Sequence, residues 1–293
     1  MKKILLLQCF FLAAFLTATA QSFNERYKAT VKGDMIVVGN TVIGTTKTGD
    51  YNRQDLNNNN NEQVFIDIDN DPATFNSSSA EVKDPNPSSS CPRKVKKAYL
   101  YWGSFPLSEN NNWLTTKVDK TKVHKVKFKI DSGAYQEITG DVVYNNNSSI
   151  FIYRADITNK LSKVAGTYTV ADLQAAQGRG WGLTAGWMLF IVYEDTSKPA
   201  RNITLFDGFT QVDANTHPTI KVSGFKTVPA PLPVNAKIAF AAVEGDASGG
   251  GDKLQITTNK ITNEILSAPD RPSNNFFNST ITDENGINYN RKP

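Results

Sequence analysis

The sequence predicts an all-β fold: an antiparallel, jelly-roll-like β-sandwich with long Asn/Gly-rich loops and at most one short helix. Three observations predict it. Trp187-Met-Leu-Phe-Ile-Val-Tyr193 is an apolar run bounded by Gly182 and Gly186 before it and Asp195 and Pro199 after it. It is too short for a membrane span and has no helical stripe, so it reads as a strand buried on both faces. Such a strand needs one layer in front and another behind. Finally, short strand-like runs recur at spacings of about ten residues between Asn-, Gly-, Pro- and Asp-rich turns, the rhythm of a sandwich or barrel.

Taken in order, residues 1–20 hold Lys2 and Lys3, an apolar core over 4–16 and an Ala18-Thr-Ala20 exit, the layout of a cleavable secretory signal. The core is shorter than the roughly twenty apolar residues of a membrane helix. Residues 34–45 read as a strand pair broken at Gly39-Asn40. Over 63–69, Val64, Ile66 and Ile68 alternate, with Phe65 on the opposite side. Residues 95–102 place Ala98, Leu100 and Trp102 on one face, Tyr99 and Tyr101 on the other. Residues 125–130 point Val126, Phe128 and Ile130 inward and three lysines outward. Short strands follow at 142–144, 150–153 and 166–173, and Asp156 caps the one helical piece, over 156–164. After the central run and the strand over 202–209, further strands are expected at 220–225, 236–243, 254–257 and 276–282. Residues 283–293 are polar and carry no element. Residues 21–293 are read as a single domain, truncated at its C-terminal end, in a piece of a longer protein.

Charge and cysteine content exclude several function classes. The chain has 32 basic and 28 acidic residues, so losing Lys2 and Lys3 with the signal leaves 30 against 28. A groove for nucleic acid wants a denser basic field interleaved with aromatics. Cys9 leaves with the signal, and the remaining Cys91 has no partner for an intrachain disulfide or a thiolate cluster. Only His124 and His217 are present, which leaves a Ser-His-Asp or metal-histidine centre little to draw on.

Four groups of residues are the candidates for chemistry. Asp67, Asp69 and Asp71 stand at alternate positions and would suit Ca2+ if they converge at a strand exit; a solvated acidic turn is the competing reading, and the glycine and distal glutamate of an EF-hand are missing. Asp246 and Asp252 bound a Gly-rich run that lacks the Gly-Lys-Ser/Thr of a phosphate loop, so it reads as a hairpin loop with two candidate oxygen ligands. Glu194 and Glu244 each follow an apolar strand and form the pair a glycosidase would need. Trp113 and Trp181 lie in loops, where flat rings beside amides suit sugar stacking; plugs at the sandwich ends are the alternative.

Several segments together carry a resemblance: Asp67-Ile-Asp-Asn-Asp-Pro-Ala-Thr-Phe-Asn-Ser-Ser-Ser-Ala80, Ala98-Tyr-Leu-Tyr-Trp-Gly103, Tyr153-Arg-Ala-Asp-Ile-Thr158 with Gly166-Thr-Tyr-Thr-Val170, the stretch from Gly186-Trp187 to Val192-Tyr-Glu194 with Ile203-Thr-Leu-Phe-Asp-Gly208, and Glu244-Gly-Asp246 with Gly251-Asp-Lys-Leu254. In this order they resemble the N-terminal domain of large secreted cell-surface proteins of Bacteroidota, the gliding-motility-associated and adhesin-like proteins exported by the type IX secretion system. The resemblance implies a non-catalytic extracellular domain, with the secretion machinery and an extracellular glycan or surface protein as partners and no stable membrane span. A carbohydrate-active enzyme using paired carboxylates, or a ligand-free cap of a longer surface fibre, are the alternatives.

Overall fold

The computed structural model describes residues 23–46, 61–105, 113–146, 150–180, 182–229, 231–243, 245–259 and 261–282. The segment expected to be a secretory signal, Trp181, Glu244 and the polar end therefore lie outside the described residues. The strands are β1 (Asn24–Thr41), β2 (Ile43–Gly44), β3 (Val64–Phe65), β4 (Ser77–Val82), β5 (Lys94–Phe105), β6 (Leu114–Thr116), β7 (Lys125–Ile130), β8 (Gln136–Thr139), β9 (Asp141–Asn145), β10 (Phe151–Asp156), β11 (Gly166–Ala171), β12 (Gln177–Gly178), β13 (Thr184–Glu194), β14 (Ala200–Asp207), β15 (Gln255–Ile256) and β16 (Glu264–Ile265). A six-stranded sheet runs β14-β1-β13-β5-β10-β9 and a four-stranded sheet runs β4-β11-β7-β8; every strand pairing is antiparallel. The expected all-β, sandwich-like fold is what the chain adopts.

The central run is β13, and both its faces are buried. Trp187, Leu189 and Ile191 point into the main core, where they meet Val126 and Phe128 of β7 and Tyr168 and Val170 of β11. Phe190 and Val192 point the other way, into a second cluster with Tyr99, Tyr101, Val31 and Ile203. β5 divides as its alternation predicts, Ala98, Leu100 and Trp102 inward and the two tyrosines outward. Polar links tie the sheets: Trp187 Nε1 donates to Ser78 Oγ at 2.9 Å, and Asn40 Nδ2 donates to the Ser79 carbonyl at 2.7 Å.

The layer behind β13 comes from β1 itself. Its C-terminal half pairs with β13, from Gly33 opposite Glu194 to Thr41 opposite Gly186. Its N-terminal half pairs with β14 instead. Tyr27, Ala29 and Val31 then pack on Tyr99, Tyr101 and Phe190, so the β1–β14 ribbon curls over the outer face of the larger sheet. The bend falls at Gly33, where φ is +155° and a Cβ would stand 1.9 Å from the Tyr193 carbonyl oxygen. Only glycine permits that approach.

Several expectations are corrected. β1 is continuous through Gly39 and Asn40, which pair with Met188 and Trp187, and the interruption comes at Val42. The strand expected over 63–69 is confined to Val64–Phe65, followed by a single bridge between Asp67 and Ser77. The helix expected over 156–164 is only a 3-10 turn, Thr158–Lys160. Residues 220–225 and 236–243 form no strand, and 254–257 contributes only β15. Among the described residues no helix is long and apolar enough to cross a membrane.

Candidate binding edge at one end of the sandwich

Three chain segments are stitched together beside the main core. Gln63 N donates to the Gly178 carbonyl at 2.7 Å and Gly178 N returns a bond to the Gln63 carbonyl at 2.8 Å. On its other side β12 pairs with β6, Gln177 opposite Thr116 and Gly178 opposite Leu114. The Gln177 amide spans both neighbours: its Oε1 accepts from Phe65 N at 2.9 Å and its Nε2 donates to Thr116 Oγ1 at 2.8 Å. Gly178, with φ +114°, lets the chain pass where a Cβ would sit 2.2 Å from the Trp113 carbonyl oxygen. That carbonyl accepts from Arg179 N at 3.1 Å. The backbone under Trp113 is thereby fixed, and its side chain is 72 % exposed. The exposed Arg179 and Thr115 flank it. A buried plug is ruled out for Trp113; an outward-facing indole on a hydrogen-bonded backbone is the arrangement that stacks on flat ligand faces.

Asp67 and Asp69 do come together, since Ser77 Oγ lies 3.1 Å from Asp67 Oδ1 and 2.9 Å from Asp69 Oδ1. Asp69 is otherwise engaged: Lys129 Nζ and the Tyr135 hydroxyl donate to its Oδ2 at 2.5 and 2.7 Å. Burial works to raise the Asp69 pKa, but the bonds from Lys129, Tyr135 and Ser77 outweigh it and hold the carboxyl at about 2. Burial, followed by the hydrogen bond to Asp69 and then that carboxylate's charge, pushes the Tyr135 phenol up. Asp71 caps its own turn, its Oδ1 accepting from Ala73 N at 2.9 Å. These contacts pin the 67–76 loop across the lysine-bearing face of β7. Among the described residues, no set of three Asp, Glu, His or Cys side chains is arranged to hold a metal ion.

Asp246 and Asp252 lie in the segment of residues 245–282. There Asp252 Oδ2 accepts from Phe277 N at 2.5 Å, and Arg271 Nη1 donates to the Phe276 carbonyl at 2.6 Å. Asp252 thus organises its own loop. Glu194 is ion-paired with Lys96 at 3.2 Å. Cys91 is a free thiol, and hydrogen bonding to Thr196 and then Ser89 lowers its pKa.

A buried charge cluster, not foreseen from the sequence, anchors the curled ribbon. Asp207 accepts from Arg154 Nη1 at 2.6 Å, from the Tyr101 hydroxyl at 3.0 Å and from Arg26 Nε. Burial and then Asp207 raise the Tyr101 pKa far above an ordinary phenol, so the hydroxyl remains a donor. Its residues come from β1, β5, β10 and β14, so no local spacing announces it.

Comparison with known protein families, curated proteins and solved structures returned no match.

Proposed function

We propose that this chain is a non-catalytic extracellular domain of a cell-surface adhesin, of the kind its sequence resembles, and that it binds glycan through the edge carrying Trp113. One observation carries the reading: a tryptophan 72 % exposed on backbone held by Arg179 and Gly178. Trp buries most of its surface in ordinary packing, so an outward indole on a fixed strand edge favours a stacking role. Arg179 and Thr115 are exposed along the same edge. Export rests on the basic start, apolar core and small-residue exit of residues 1–20.

The fibre-cap alternative fits less well, because it requires Trp113 to be buried. The enzyme alternative draws no support from Glu194, whose carboxylate is engaged by Lys96. A glycan array probed with the purified chain tests the proposal: binding to a restricted set of saccharides, lost in Trp113→Ala, supports it. A flat array, or binding that Trp113→Ala leaves unchanged, overturns it.

A further inference from the structure

Beyond β14 the chain turns back on itself without completing a strand. Asp213 and Thr216 bridge each other across Ala214-Asn215, Asp213 N donating to the Thr216 carbonyl at 3.4 Å and Thr216 N to the Asp213 carbonyl at 3.2 Å. This is a two-residue hairpin turn, after which the chain comes back to β14 at Asn202. Two side-chain contacts mark where residues 219–227 lie. Lys226 N donates to Asn202 Oδ1 at 3.0 Å. A Cβ on Gly224 would stand 2.9 Å from Lys28 Nζ and 3.4 Å from Glu25 Oε2, the β1 residues that pair with Thr204 and Phe206.

The Asn202 contact puts Lys226 opposite Asn202, and in that alignment Gly224 faces Thr204. The alignment set by the Asp213–Thr216 bridge differs from it by one residue, the size of a single β-bulge. The β1–β14 ladder already contains one such shift, between Glu25 and Tyr27.

The sequence of this segment is that of a strand. Ile220 and Val222 alternate with Lys221 and Ser223, and Pro218 and Pro229 bound the run. Yet Ile220, Val222 and Phe225 are 44, 46 and 50 % exposed. The Thr204 hydroxyl of β14 is buried without a hydrogen-bond partner, a polar group whose bond is unmade in this arrangement. Gly224 sits mid-segment at φ +86°, a kink that prevents a straight run along β14 and that glycine alone releases easily.

We propose that residues 219–227 are a strand held off its sheet, which closes on the β14 edge as a seventh strand when Gly224 becomes extended, with Asn202 opposite Lys226. Closure puts Phe225 beside Ile203 and covers an edge that is otherwise open to strand addition from another chain. The inference stands independently of the glycan-binding proposal.

Hydrogen exchange on the full chain, comparing the natural sequence with Gly224→Val, tests it. A β-branched residue disfavours positive φ and favours a strand, and the atom that a side chain at this position would meet first is the far end of the flexible Lys28. The expected result is protection of alternate amides within 219–227, rising by about tenfold or more in Gly224→Val. Asn202→Cys with Lys226→Cys, with Cys9 and Cys91 replaced by serine, should oxidise to a disulfide within one chain. Unprotected amides in both proteins, or a disulfide that forms only between chains, overturns the proposal.

Discussion

Arg154 Nη1 of β10 stands 2.6 Å from Asp207 Oδ2 of β14, although three strands separate β10 from β14 in the sheet order. The contact exists because the β1–β14 ribbon curls over the sheet and brings the end of β14 above β5 and β10. Arg154 and Asp207 are 14 and 6 % exposed, so neither is well solvated. Removing one partner strands the other, and breaking a buried pair of this type costs about 3–5 kcal/mol. Asp207→Ala should lower the unfolding free energy by that order in urea denaturation. A loss well under about 1 kcal/mol, the surface ion-pair range, would show that the cluster does not anchor the ribbon.

The curl itself depends on Gly33. Its missing Cβ accommodates the Tyr193 carbonyl, and overpacking at backbone leaves little room to relax. Gly33→Ala should destabilise the chain by about 2–3 kcal/mol and raise the exposure of Tyr99 and Phe190, read by near-ultraviolet circular dichroism. Gly133→Ala is the control, since a Cβ there would meet only the Ile130 carbonyl at 3.0 Å.

How much of this was legible depends on where the partner lies. β13, β5 and β7 could be read from sequence because a strand between two layers writes its pattern locally: an unbroken apolar run, or strict alternation. The ribbon half of β1 also alternates, Tyr27, Ala29 and Val31 against Lys28, Thr30 and Lys32, but nothing in that stretch says that it folds back over β13. The false helix over 156–164 has a physical origin as well. Ile157, Leu161 and Val164 have helical spacing and are all buried, yet they plug the core from a loop around one 3-10 turn. Trp113 was legible as a loop aromatic. The Arg179 bond to its carbonyl was not, because it comes from a pairing across more than sixty residues.

Asp69 gives the fold an acid dependence. Its folded pKa of about 2 lies below the ordinary carboxyl value of about 3.9. The stabilisation is therefore complete above about pH 4 and is lost as pH falls toward 2, a contribution on the order of 2 kcal/mol at neutral pH. Asp69→Asn should lower neutral-pH stability by about that much and flatten the acid limb between about pH 4 and 2. An unchanged acid limb in the variant would show that Asp69 is not the source of the acid dependence.

Ser78 accepts the buried Trp187 indole N–H across the two sheets. Ser78→Ala leaves that donor unsatisfied, which costs about 1–3 kcal/mol. Thermal denaturation should show a lower midpoint with the fold retained; an unchanged midpoint would mean that the indole finds another acceptor.

The most direct test of the binding role is calorimetric titration of an array-selected glycan into the natural chain and into Trp113→Ala. The ring is exposed and outside the core, so the melting temperature should be the same for both proteins. Affinity should fall by about tenfold or more in the variant, the loss of one stacked ring. Equal affinity in the two proteins, with both fully folded, would contradict the assignment of this edge as the binding surface.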